Sequence, residues 1–229
     1  MRELLLIRHG QASFSAEDYD QLSPIGEQQS QLLGQWLAAC GPAPDLVAMG
    51  PRRRHRDTAA WCTRAAGLDA QPVVLPGLDE VDHHELLARL RPDLEGPGAL
   101  RAELRRSDEP HRAFQQIFAE AIARWVSGRH DPDYRRSWSA FREEVLDALR
   151  QLADHPAQTT WAFTSGGPIA VIASSLLESP TAQAFRLSWP LVNTGVTRLR
   201  LGSRGATLLT YNAWPHLERA GDAALVTLR

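Results

Sequence analysis

The sequence predicts an α/β fold: a mainly parallel central sheet flanked by helices in a three-layer sandwich, plus an inserted helical subdomain. Three observations carry this. Short apolar runs ending in Gly, Pro or charged residues alternate with helical patterns, as in βαβ units. Leu4-Leu5-Leu6-Ile7 is a continuous apolar run, as expected of a strand buried on both faces. From Asp82 to Pro156 the strand signal disappears and helical periodicity continues. The chain has 229 residues, 43% of them hydrophobic and 23% charged, which suits one domain with a sizeable insertion over about 82–156.

Strands are expected at Glu3–Ile7, Leu46–Met49, Pro72–Leu75, Thr160–Thr164, Thr197–Leu201 and Thr207–Tyr211. The last two flank Gly202-Ser203-Arg204-Gly205 and read as a hairpin, so one sheet edge is antiparallel. A helix should start at Ser23-Pro24, with Ser as cap and Pro in the first turn. Leu32, Leu33, Trp36 and Leu37 give it an apolar stripe, and Gly41-Pro42 ends it. A second helix runs from Pro51 towards Gly67. In the helical stretch, Phe114, Ile117, Phe118, Ile122 and Trp125 form one apolar face. Trp138, Phe141, Val145, Leu146 and Leu149 form another, and Gly96-Pro97-Gly98 and residues 128–132 separate the pieces.

Composition excludes several function classes. The formal net charge is −2, so the domain lacks the basic footprint of a nucleic-acid binder. No apolar run approaches the roughly 20 residues that span a bilayer. Leu4 to Ile7 is too brief for a secretory leader, which points to the cytoplasm. Cys40 and Cys62 make no CxxC or zinc spacing and read as reduced thiols. Asp82-His83-His84-Glu85 does not make a metal site, because adjacent histidines point apart on a helix. No metal or cofactor is expected. The partner is a small anionic molecule, and a homodimer is left open.

The functional reading comes from the residues just beyond each parallel strand, since ligands of such sheets bind past the strands' carboxyl ends. After the first strand come Arg8, His9 and Gly10. After the second come Gly50, Pro51 and the run Arg52-Arg53-Arg54-His55-Arg56. After the third come Gly77, Leu78, Asp79 and Glu80; after the fourth come Ser165, Gly166, Gly167 and Pro168. A nucleophile, arginines, an acid and a glycine-rich helix start would converge on one edge. That set fits a phosphate monoester, whose transfer depends on positioning and charge stabilisation.

These segments resemble the histidine phosphatase superfamily, also called phosphoglycerate mutase-like. Leu6-Ile7-Arg8-His9-Gly10-Gln11 is similar to the family's N-terminal signature. Asp20 to Gly26 with Gln29 resembles its following loop and helix, and Gly50 to Ala59 its second arginine motif, with the arginine at Arg54. Leu78-Asp79-Glu80 looks like the acid loop and Thr164 to Ile169 like the last motif. The resemblance implies that His9 takes the phosphoryl group as a phosphohistidine and Glu80 is the acid and base. It implies that Arg8, Arg54, Ser165 and the Gly166 region hold phosphoryl oxygens, and that no metal is needed.

The chain departs from the family at Ser165, where a second histidine is usual. Neither His155, before its strand, nor His216, in the tail, is placed to replace it. Replacing a charged donor by a hydroxyl predicts a rate loss of roughly tenfold. Ala12 and Ser15 stand where the family often has Thr and Asn. Arg52, Arg53 and Arg56 are expected to be solvated, and Ser165 to serve as phosphate donor, helix cap or both. Asn193-Thr194-Gly195 is expected to be a structural turn. Two alternatives stand beside phosphatase action. One is a non-catalytic or weakly active phosphate-binding protein. The other is a serine hydrolase on Ser165, for which the G-x-S-x-G elbow is incomplete.

Overall fold

The first strand, β1 (Arg2–Arg8), is built on the Leu4 to Ile7 run, and all four of those side chains are buried. The computed structural model describes residues 2–13, 20–94, 98–107 and 109–228. Ser15 and the Gly96-Pro97 breaker lie outside them. In chain order the elements after β1 are α1 (Pro24–Cys40), β2 (Leu46–Met49), α2 (Arg53–Ala65), β3 (Val73–Val74) and α3 (His83–Leu90). Then come α4 (Ala99–Leu104), α5 (Pro110–Val126), α6 (Trp138–Asp154), β4 (Thr159–Thr164), α7 (Gly166–Leu176) and α8 (Thr181–Ala184). β5 (Val196–Gly202), β6 (Gly205–Ala213) and α9 (Pro215–Ala220) complete the series.

The six strands form one mixed sheet in the order β3-β2-β4-β1-β5-β6. β3, β2, β4 and β1 are parallel; β5 runs antiparallel to β1 and to β6. The expected α/β sheet flanked by helices, with one antiparallel edge hairpin, is therefore present. β4 lies between β1 and β2, and all six of its residues are buried. That placement puts the ends of β1, β2, β3 and β4 on one edge of the sheet.

Alternation along the strands sorts the core. Leu5 and Ile7 of β1, Val47 and Met49 of β2, and Trp161 and Phe163 of β4 pack with Leu33 and Leu37 of α1 and Ala59 and Cys62 of α2. α1 and α2 approach closely at Gly34, where a Cβ would lie 2.1 Å from the Cys62 carbonyl oxygen. Ser23 caps α1, its Oγ accepting from the Gly26 amide at 3.1 Å, with Pro24 in the first turn as expected. α7 packs against β1 and β6, and its first nine residues are buried. Both cysteines are free; Cys40 is exposed and Cys62 buried.

The chain divides into two compact units. One comprises residues 1–80 and 144–229, the other 81–143. The second is helical. Trp125 stands edge-on to Trp138 at 5.2 Å and against Phe141 at 5.4 Å, and the Trp125 indole N–H donates to the Arg136 carbonyl at 2.9 Å. Asp82 caps α3 by accepting from the amides of His84 and Glu85, and His83 lies edge-on to Phe118 at 5.0 Å. Among the described residues no group of three or more His, Cys, Asp or Glu could hold a metal ion. No helix of the described chain is long and apolar enough to cross a membrane.

Candidate active site

Arg8 and His9 leave the sheet at the end of β1, where the backbone is fixed from three sides. The His9 amide donates to the Thr164 carbonyl at 2.9 Å, continuing the β1–β4 ladder by one residue. Asn193 Nδ2 donates to the His9 carbonyl at 3.1 Å, and the Thr194 amide donates to the Arg8 carbonyl at 3.1 Å. Thr194 has φ of +60°, and this expected turn also braces the end of β1. The Gly10 amide donates to Thr58 Oγ1 at 3.0 Å. A Cβ on Gly10 would lie 2.5 Å from the Gly26 carbonyl oxygen, so only glycine fits.

His9 Nδ1 lies 2.7 Å from the Gly10 carbonyl oxygen. A carbonyl can only accept, so Nδ1 carries the hydrogen and Nε2 keeps its lone pair. His9 is 7% exposed. Burial, then the cations of Arg54 and Arg8, hold its pKa well below the ordinary histidine value. The result is a neutral imidazole with an uncommitted Nε2, the state a nucleophile needs.

Arg54, in the first turn of α2, is buried, and its Nη1 pairs with Asp20 Oδ1 at 2.7 Å. Its Nε is buried without a hydrogen-bond partner. The Arg8 guanidinium donates to the carbonyls of Leu191 and Leu228, the latter at 2.9 Å. Arg52 is not merely solvated as the sequence suggested. Its Nε pairs with Asp79 Oδ1 at 2.6 Å and its Nη2 donates to the Glu80 carbonyl at 3.0 Å. Arg52 thereby ties the acid loop to the start of α2. Glu80 itself is buried, and its Oε2 accepts from the Gly167 amide at the start of α7 at 3.2 Å.

Ser165 stands at the N-cap position of α7 but makes no capping bond with its side chain. Its Oγ is instead 2.6 Å from His55 Nε2, deep in the interior. The cap function expected for Ser165 is thus absent, and its partner was missed in the sequence. His55 is fully buried, its ring centroid 5.8 Å from that of His9. Burial, then the cations of Arg54 and Arg52, push its pKa well down. Its Nδ1 faces the Gly50 backbone, whose interaction with the ring raises the pKa against these larger lowering effects. A Cβ on Gly50 would lie 2.4 Å from that nitrogen, so the absent side chain makes room for the ring. His55 sits among arginines on a strongly polar helix start and looks like part of a solvated run. The signal that could have found it was the histidine missing at Ser165, which invited a search of the other strand ends.

His9, Glu80, Arg54, Ser165 and Gly166 therefore meet at one sheet edge, with Arg8 close enough to His9 to act on its charge state. This edge offers a neutral imidazole nitrogen, two guanidinium groups, a buried carboxyl and helix-start amides.

A family model described as histidine phosphatase superfamily (branch 1) matches residues 4–97 and 102–213. No curated protein sequence matches the chain. Among solved structures, a mutant phosphoserine phosphatase of Entamoeba histolytica in complex with phosphoserine is 20% identical. The match covers 95% of this chain and 100% of that one, with a TM-score of 0.65. An α-ribazole phosphatase from Shigella flexneri is 20% identical over 92% of this chain and 96% of its own, with a TM-score of 0.62. The mycobacterial glucosyl-3-phosphoglycerate phosphatase in complex with inorganic phosphate is 22% identical over 94% and 99%, with a TM-score of 0.60.

Proposed function

The chain belongs to the histidine phosphatase superfamily, branch 1, and on that premise we propose that it hydrolyses phosphate monoesters through a phosphohistidine on His9. The carrying observation is the state of His9: neutral, with Nδ1–H committed to the Gly10 carbonyl and the Nε2 lone pair uncommitted. The phosphatases among its structural neighbours support the reaction class.

In the first step His9 Nε2 attacks phosphorus, the bond from phosphorus to the ester oxygen breaks, and Glu80 gives its proton to the leaving alcohol. In the second, Glu80 takes a proton from water, the water oxygen attacks phosphorus, and the phosphorus–nitrogen bond breaks to release phosphate. Arg54 and Arg8 bind the phosphoryl oxygens as charge spreads over them, and the amides beginning α7 add neutral donors. The mechanism draws on no metal or cofactor.

The test is rapid quench with a radiolabelled phosphate monoester. The label should appear on the protein, survive alkali and be lost in acid. In His9→Ala the label should vanish and kcat fall by on the order of 10^4 or more, the scale of removing a nucleophile. A His9→Ala protein that turns over p-nitrophenyl phosphate at the parent rate refutes the mechanism. Phosphate binding by the parent without turnover would make the chain a non-catalytic phosphate-binding protein.

A further inference from the structure

Arg52 stands at the N-cap position of α2, two residues before Arg54, with its guanidinium turned to the loop that carries Glu80. Its Nε pairs with Asp79 Oδ1 at 2.6 Å, and its Nη2 donates to the Glu80 carbonyl at 3.0 Å. The same Asp79 oxygen also accepts from the Glu80 amide at 2.7 Å. One ion pair thus holds both the N–H and the C=O of the residue that carries the buried carboxyl.

We propose that Arg52 and Asp79 form a clamp that positions Glu80 for proton transfer to the leaving alcohol. This inference rests on the phosphoryl-transfer reading of the same site.

The strand leading into the acid loop gives it little support. β3 is two residues long, lies at the sheet edge and is about half exposed. It meets β2 only at Ala48–Val73 and Met49–Val74. Thr164 Oγ1 donates to the Leu78 carbonyl at 2.7 Å, which fixes the loop two residues short of the acid. The Gly167 amide holds Glu80 by Oε2, on the group that has to give up its proton. The Glu80 peptide itself is held by the Arg52–Asp79 pair. A general acid must lie within about 3 Å of the oxygen it protonates, and a misplacement of about 1 Å costs on the order of 10^2 in rate.

The residue types suit a clamp. A planar guanidinium presents Nε and Nη2 in fixed geometry to two acceptors from consecutive residues, which a lysine ammonium cannot do. The pair is open to water, its side chains 32% and 26% exposed. Such a pair adds little to stability, so its loss acts on the placing of Glu80 rather than on folding. Because Arg52 and Arg54 share the start of α2, the clamp sets the acid relative to Arg54 as well. Both Arg52 and Asp79 act through Glu80 and are positioning residues.

The test is the dependence of kcat/KM on the leaving group, over substituted phenyl phosphates from p-nitrophenyl to p-methoxyphenyl. A nitrophenolate departs without a proton, whereas the methoxyphenol needs one. The variants are Arg52→Met, Asp79→Ala, the two combined, Asp79→Asn and, as reference, Glu80→Gln, with thermal melts to check folding. Arg52→Met should lose about tenfold more with the p-methoxy ester than with the p-nitro ester, and Asp79→Ala should do the same. The double variant should be no worse than either single, because the two residues form one clamp. Asp79→Asn keeps an acceptor for both bonds and should follow the parent series to within about threefold. A merely structural pair would lower all esters alike.

Equal losses across the series in an Arg52→Met protein that melts like the parent overturn the clamp and leave the phosphatase reading intact. So do losses that multiply in the double variant, or an Asp79→Asn protein that behaves as Asp79→Ala. A Glu80→Gln series parallel to that of the parent removes Glu80 as the acid and the clamp with it, while the phosphohistidine on His9 stands. A parent that hydrolyses none of these esters overturns both readings.

Discussion

Three imidazoles, those of His9, His55 and His216, are buried where a proton would be unwelcome. The His216 Nε2–H donates to Thr194 Oγ1 at 2.8 Å, because the Thr194 hydroxyl hydrogen is already given to the Asn193 carbonyl at 2.6 Å. Its Nδ1 is buried without a partner, and burial lowers the pKa to about 4. Below pH 6.5 the unfolded chain takes up protons that the folded chain refuses, so stability falls as pH drops. For His216 the loss accumulates between pH 6.5 and about 4 and reaches about 3 kcal/mol. His9 and His55 shift in the same direction and add to it. Urea denaturation should show a lower midpoint at pH 5 than at pH 7.5, and His216→Gln should flatten that dependence. A midpoint unchanged between the two pH values would refute this account. Legibility at this scale was uneven. Arg8, His9 and Gly10 stand together in sequence, so their chemistry could be read directly. His55 and Ser165 acquire their meaning only through a contact between distant segments.

Helices and strands were read best where a local chemical stop exists. Ser23-Pro24 and Gly41-Pro42 bracket α1 as expected, because a cap, a proline and a glycine act within a few residues. β3 is the counterexample. The expected strand from Pro72 to Leu75 shrinks to Val73–Val74, both about half exposed. Pro72 and Pro76 flank it and carry no amide hydrogen for the ladder. β6 is longer than expected, and its pairing with β5 shifts register near Arg198. Asn212 there has φ of +53°, a conformation Asn tolerates. The α1–α2 contact was invisible to periodicity, since Gly34 marks it by what it lacks. Gly34→Ala should cost about 1–3 kcal/mol through overpacking against the Cys62 carbonyl. Chemical denaturation would measure it, with KM for p-nitrophenyl phosphate unchanged. A variant as stable as the parent would show that α1 and α2 can separate freely.

At the scale of the molecule, strand order was the part that sequence could not deliver. The alternation of strands and helices announces a parallel sheet, but nothing local says that β4 enters between β1 and β2 after the long helical excursion. Nor does periodicity show that α6 crosses from one compact unit to the other: Phe141 belongs to the unit ending at residue 143, while Val145 and Leu149 belong to the first. The order has a measurable consequence. β1 and β4 are central and buried, so their amides should exchange most slowly with deuterated water, while those of the edge strands β3 and β6 exchange fastest. Equal protection across the sheet would contradict this arrangement.

The site also carries its own counter-ions. Asp20 holds Arg54, and Glu80 occupies the Gly167 amide at the head of α7. On the proposed reading, a phosphate ester that claims Arg54 Nη1 or the Gly167 amide enters by exchange, displacing the carboxyl group of Asp20 or Glu80, whereas Arg54 Nε stands open. The same carboxylates compete for those donors when free phosphate is to leave. On that reading, tight substrate binding is given up in return for an easy exit, as suits a catalyst that must not be poisoned by its own product.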